Sequence, residues 1–295
     1  MKAQAMGARG IVRAGIGGWT FEPWRGVFYP DKLPHAKELA FASRALATIE
    51  INGTYYRSQT PATFAKWARE VPDGFVFSVK GPRFATNRRV LAEAGDSLKR
   101  FFDSGPTMLG DKLGPLLWQF APTKKFDEAD FDAFLALLPE SLDGIRLRHT
   151  VEVRHPSFKS AAFIALVRRA GVPVVYADHA TYPAIGDPVG DFVYARLQKG
   201  EDAIATGYPA DEIAGWAAAA RTWAEGGVPE RVAADCVTPA PGGAKQPRDV
   251  FVYFIHGGKV RAPAAAQAFM AALGEGAPQP ETKPGTAKKR TRASR

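Results

Sequence analysis

The feature that most constrains this chain is an alternation. Short runs with apolar residues at every second position are followed, again and again, by stretches with helical spacing. The strand-like runs are IVRAGI (11–16), TIEIN (48–52), FVFSVK (75–80), GPLLWQF (114–120), HTVEVR (149–154), VPVVYA (172–177), DFVYARL (191–197) and DVFVYFI (249–255). Helical patterns follow over 35–47, 60–70, 88–102, 127–139, 157–171, 210–226 and 262–274, and only the sixth run has a short proline-rich connection instead. Thr60 and Pro61 supply an N-cap and a first-turn proline for the second of these helices. Eight β-α units call for parallel strands, and eight in this length fit a closed (β/α)8 barrel of the α/β class better than an open doubly wound sheet. The GIGGW segment after the first run resembles a dinucleotide loop, but TFEPWRGVFYP follows it where a helix would be needed, so no nucleotide cofactor is expected.

The chain of 295 residues is 46% hydrophobic, enough for a substantial core, and no polar linker interrupts the alternation. The expected organisation is a flexible segment over 1–9, the barrel over 10–275 and a disordered basic tail over 276–295. The formal charge of +9 is concentrated in that tail, because residues 281–295 carry +5 and leave +4 for the rest. A segment so poor in apolar residues cannot offset the entropy of its own ordering, and it attracts nucleic acid without sequence preference. No run is long and apolar enough to span a bilayer, the first ten residues lack the apolar stretch of a secretory signal, and a lone Cys236 suits a reducing compartment; no membrane association and a cytoplasmic location are expected.

Strand parity places the candidate site. In a barrel, alternate residues face the lumen, and functional groups collect at the carboxyl ends of strands. Ile49 and Ile51 then face the helices while Glu50 and Asn52 face inward. Val76, Ser78 and Lys80 share the lumen on the third strand; Glu152 and Arg154 do so on the fifth, and Arg196 with Tyr194 on the seventh. Gln119 ends the fourth strand, Asp178 and His179 follow the sixth, and His256 follows the eighth. Charges in such a position need partners, so Glu50, Glu152 and Asp178 are expected to pair with Lys80, Arg154 and Arg196.

Several segments, GGWTFEPWRGVFYPDKLP, TIEINGTYYRSQTPATFAKWAREVPDGFVFSVKGPR, KLGPLLWQF, VEVRHPSF and VYADH, resemble in this order the YecE-like family, also called domain of unknown function 72. The resemblance runs from about Gly15 to Leu273 and is most specific from Glu50 to Arg57. It implies a (β/α)8 barrel and leaves the activity open. Trp19, Glu50, Asn52, Tyr55, Arg57, Lys80, Thr86, Gln119, Glu152, Arg154, Asp178 and Arg196 match the family's polar positions. Asn87, Gln198 and His256 depart from it, standing where the family usually has a histidine, a histidine and an asparagine.

Glu50, Lys80, Glu152 and Asp178 are therefore the candidate catalytic groups. Trp19, Asn52, Tyr55, Arg57, Thr86, Gln119, Arg154, Arg196 and His256 are the candidate binding groups. Glu50, Glu152, Asp178, His179 and His256 are types that hold a divalent ion, but three cations share the same mouth and no HxH or HExxH spacing occurs, so no metal is expected. The composition favours an anionic or phosphorylated small molecule, with a carboxylate as general acid or base or Lys80 as an amine nucleophile. A second reading is a nucleic-acid binder or phosphodiester hydrolase, supported by the tail, by GPRFATNRR (81–89) and by Trp19, Trp24, Tyr55 and Tyr56 as stacking surfaces.

Overall fold

A computed structural model describes residues 9–239 and 245–274. Its parallel sheet contains β1 (Val12–Gly17), β2 (Thr48–Ile51), β3 (Val76–Lys80), β4 (Leu113–Gln119), β5 (His149–Glu152), β6 (Tyr176–Asp178), β7 (Phe192–Lys199) and β8 (Asp249–Gly257). The hydrogen-bonded order is β5-β4-β3-β2-β1-β8-β7-β6. A single parallel bridge between Val151 and Val174 joins the two ends, with Val151 N–H donating to Pro173 O (3.0 Å) and Val175 N–H to Val151 O (2.9 Å). The result is a nearly closed eight-stranded α/β barrel. Its seam is thin for a local reason: Pro173 has no N–H to add to the ladder, so the run expected over 172–177 pairs continuously only from Tyr176.

The surrounding helices are α1 (Glu38–Ala45), α2 (Pro61–Glu70), α3 (Gly95–Asp103), α4 (Glu128–Ala136), α5 (Ala161–Ala170), α6 (Ala210–Ala224) and α7 (Ala262–Ala272). The second begins as its sequence dictates: Thr60 Oγ1 accepts from Thr63 N–H at 3.2 Å, and Pro61 occupies the first turn. Residues 88–102 are not one helix, contrary to their spacing. Asp130 Oδ1 accepts from Leu91 N–H (2.6 Å) and Ala92 N–H (3.0 Å), which ties that stretch to α4 as a 3-10 turn and delays the α-helix to Gly95. No helix separates β6 from β7 among the described residues.

The main core lies between sheet and helices. Ile49, Ile51, Phe77, Val79, Trp118 and Val151 are all buried on the helix-facing side of their strands. Full burial of each such side chain stabilises the fold by roughly 1.5–3 kcal/mol before entropy is counted. A second, smaller cluster fills the lumen: Leu117, Val175, Phe192, Tyr194, Phe251 and Tyr253. The first glycine of GIGGW serves this packing. A Cβ on Gly15 would lie 1.8 Å from Thr48 O, so only glycine lets β1 approach β2 so closely. The expected tail over 276–295 lies outside the described residues.

Candidate functional site at the barrel mouth

The lumen changes character from bottom to top. At mid-height the rings of Tyr194 and Tyr253 are 4.8 Å apart, and their hydroxyls meet Ser78 Oγ (2.9 Å) and Thr48 Oγ1 (2.8 Å). Tyr194 also donates to Glu50 Oε2 at 2.6 Å, which links the neutral layer to the charged one above it. Burial and the Glu50 carboxylate hold the Tyr194 phenol well above its usual range, so it stays protonated and donates.

Above this layer Arg196 bridges two carboxylates. Its Nη2 donates to Glu50 Oε1 at 3.1 Å and its Nη1 to Glu152 Oε2 at 2.5 Å, with both glutamates fully buried. Glu152 accepts further from Gln119 Nε2 and from Arg154 Nε, each at 2.8 Å. Burial alone would raise the Glu152 pKa; the charges of Arg196, Arg154 and Lys80 and the Gln119 hydrogen bond outweigh it and bring the group down to about 2. Glu152 is therefore a permanent anion at neutral pH.

Lys80 differs from every other charge here. It is 7% exposed, and its Nζ makes no hydrogen bond or ion pair among the described residues. The ammonium instead lies 4.2 Å from the centre of the Tyr55 ring, a cation–π contact. Desolvation first, and the charge of Arg196 second, lower its pKa from 10.5 to about 8 against the opposing pull of Glu50 and Glu152. The expected pairing of Lys80 with a carboxylate does not occur: Arg196 and Arg154 reach the same oxygens with planar, multidentate guanidinium groups that a single ammonium does not match.

Asp178 also departs from its expected partners. Its Oδ1 pairs with Lys199 Nζ at 2.7 Å, because on β6 Val175 has the lumen parity and Asp178 has the opposite one. Trp19 packs edge-on against Trp67 (5.1 Å) and near Phe77 (6.3 Å), on the helix side of β3, and Trp24 is 1% exposed inside an aromatic cluster with Phe21, Phe28 and Tyr29. Trp24 therefore offers no face for stacking, and Trp19 is half-buried. Tyr56 does offer one, being 63% exposed. Asn52 lies beside Gly17, its Nδ2 donating to Glu50 O at 3.4 Å, and Arg57 is exposed. Thr86 is buried with an unpartnered Oγ1.

On the opposite rim, Arg154 lies over the Tyr182 ring at 4.4 Å, and Tyr182 stacks on His179 at 3.9 Å. His256 is exposed, its ring 5.8 Å from His179, and its backbone has φ +75, a left-handed conformation strained for a residue with a Cβ. Gln198, one step above Arg196 with the same lumen parity, is buried with an unpartnered Nε2. Parity alone flagged Tyr194, but its hydroxyl bond to Glu50 and the Tyr182 contacts come from chain segments far apart in sequence. Among the described residues, no group of three or more His, Cys, Asp or Glu is arranged to hold a metal ion.

The model of the family described as protein of unknown function DUF72 matches residues 13–290. The chain belongs to the DUF72 family. A curated relative, UPF0759 protein YunF of Bacillus subtilis strain 168, is 27% identical over 117 residues, 38% of this chain and 40% of that protein. The match thus spans well under half of that relative's length. Crystal structures of DUF72 family proteins from Enterococcus faecalis V583 (TM-score 0.65, 15% identity, 90% of this chain and 96% of that one) and Thermotoga maritima MSB8 (TM-score 0.62, 21% identity, 88% and 97%) share the fold. No described helix is long and apolar enough to cross a membrane.

Proposed function

We propose that the C-terminal mouth binds a small anionic molecule, carboxylated or phosphorylated, and that Lys80 is the cation that meets it. The observation that carries this reading is an ammonium on a largely buried side chain, with no carboxylate of its own, at the one end of the barrel where the strands' carboxyl ends converge. Desolvating an ammonium without a partner is costly, and such a cost is retained where a ligand supplies the counter-charge. Arg154 Nη2 and Gln198 Nε2 add donors without partners among the described residues. Glu152, ionised down to about pH 2, is a weak base at neutral pH and serves to hold Arg154 and Arg196 in place, whereas Lys80, lowered to about 8, is suited to acid-base work near neutral pH.

Thermal denaturation with phosphate, sulfate, pyruvate and 3-phosphoglycerate tests the reading. A ligand at about 100 times its Kd stabilises by roughly 2.7 kcal/mol, a rise of about 5 °C or more for a domain of this size. Lys80→Met and Arg154→Met should each abolish the shift while the proteins remain folded. No shift with any of these anions would overturn the proposal.

A nucleic-acid reading has two observations of its own. Arg83 lies 5.9 and 5.6 Å from the ring centres of Tyr56 and Phe84, both largely exposed, and a groove of about 650 Å³ lined by Arg88, Arg89, Lys124 and Lys125 runs between the loops after β3 and β4. Truncation after Gly276 separates surface from tail. Binding of a labelled oligonucleotide that survives truncation and falls with salt supports the groove; binding lost with the tail removes it.

A further inference from the structure

We propose that Lys80 forms a covalent imine with a small anionic aldehyde or ketone, so that the ligand class of the mouth is carbonyl compounds bearing a carboxylate or phosphate. This rests on the anion-binding reading above and specifies the chemistry of that site. An amine becomes a nucleophile when it is desolvated beside a second cation and kept clear of a carboxylate that would fix its proton. Lys80 meets these conditions at once: it is buried to 7% exposure, its charge is opposed first by burial and then by Arg196, and no carboxylate lies within ion-pair distance.

The surroundings suit the product as well as the amine. The lone pair of neutral Nζ adds to the carbonyl carbon, the π pair moves to oxygen, and transfer of a proton from nitrogen to that oxygen gives a carbinolamine. Loss of the oxygen as water then forms the C=N bond, so amine and carbonyl become imine and water with no change of oxidation state. The protonated imine carries its positive charge where the ammonium carried it, over the Tyr55 ring and in the field of Glu50 and Glu152. Arg154 spends Nε on Glu152 and Nη1 on the Tyr182 hydroxyl (3.4 Å), and its Nη2 has no partner among the described residues. That nitrogen is the donor for the anionic end of the ligand. The Arg196–Glu50–Glu152 bridge holds the cations apart and stays out of the bond-making.

Reductive trapping tests the proposal on the full-length chain. The protein is incubated at pH 7.5 with glyoxylate, pyruvate or dihydroxyacetone phosphate, treated with sodium borohydride, and read by intact mass and peptide mapping. With a pKa of about 8 rather than 10.5, the free-amine fraction of Lys80 at pH 7.5 is roughly two hundredfold that of an ordinary lysine. One reduced adduct should therefore appear on Lys80, at least tenfold above any other lysine. Acetaldehyde, which lacks the anion, should label it far less, and Arg154→Met should cut glyoxylate labelling of Lys80 at least tenfold without changing the surface lysines. Lys80→Arg, with its fold checked by circular dichroism, should lose the adduct. Labelling spread evenly over the lysines, or no adduct from any of the three probes, overturns the imine. If the same anions still raise the melting temperature, the imine alone fails; if they do not, the anion site fails with it.

Discussion

The two ends of the barrel both carry charge, and they use it differently. At the amino end of the strands Arg148 pairs with Asp249 at 2.8 Å and lies over the Phe192 and Phe251 rings, and Arg146 pairs with Asp191 at 2.9 Å. These pairs are partly hydrated and each cation has its own anion. A cavity of about 640 Å³ nearby is lined by Arg146, Arg148 and Arg169, yet Arg169 too is paired, with Asp132. At the carboxyl end the charges are buried, two glutamates share Arg196, and Lys80 is left over. At the amino end the ion pairs are partly exposed and Arg13 and Arg248 have no ion pair among the described residues; at the mouth the buried carboxylates engage Arg154 and Arg196 and leave Lys80 without one.

The strongest test of this contrast removes the bridge. Arg196→Met leaves Glu50 and Glu152 buried without their shared cation and should cost about 3–5 kcal/mol in urea denaturation at pH 7. The loss should shrink in acid, where the carboxylates can protonate; an effect below about 1 kcal/mol would mean that the bridge is not what holds the mouth together.

Acid comes next. The Glu152 pKa falls from 4.5 to about 2 on folding, so its contribution is present above about pH 4.5 and is lost as the pH drops toward 2. Urea titrations between pH 6 and pH 2 should show about 3 kcal/mol of stability disappearing over that window, and Glu152→Gln should flatten the slope.

Lys80 should move the other way. Its lowered pKa penalises folding below about pH 8 and the penalty lifts as the pH rises from 8 toward 10.5. Lys80→Met should therefore be as stable as the parent or more so, by up to about 3 kcal/mol at pH 7, while losing anion binding. A marked destabilisation would recast Lys80 as a structural counter-charge.

The smallest effect belongs to the amino end. Arg146 is 76% exposed, and Arg146→Ala should change stability by no more than about 0.5 kcal/mol and leave anion binding intact. A larger change would erase the distinction between the two ends.

The local pattern of the chain was enough for the barrel and for the faces of its strands. Period-two alternation put Glu50, Glu152, Arg154 and Arg196 in the lumen and Ile49, Ile51, Phe77 and Val151 in the wall, where they are found. Parity survives because a side chain's face is fixed by its immediate neighbours along the strand. Local pattern failed where a distant group intervened. Asp130 captured the amides of Leu91 and Ala92 and split an expected helix, and Pro173 thinned the seam.

Partners were the other thing that only tertiary structure decided. TIEINGTYYR announces that Glu50 must find a cation but not which one, because the candidates Lys80, Arg154 and Arg196 lie on or just after three different strands, the farthest 146 residues along the chain. Barrel closure gave Glu50 and Glu152 to Arg196, assigned Arg154 to Glu152 and Asp178 to Lys199, and left Lys80 with only the face of Tyr55. Which cation lacks an anion depends on the order and stagger of strands around a closed sheet. That geometry exists only after the chain has folded.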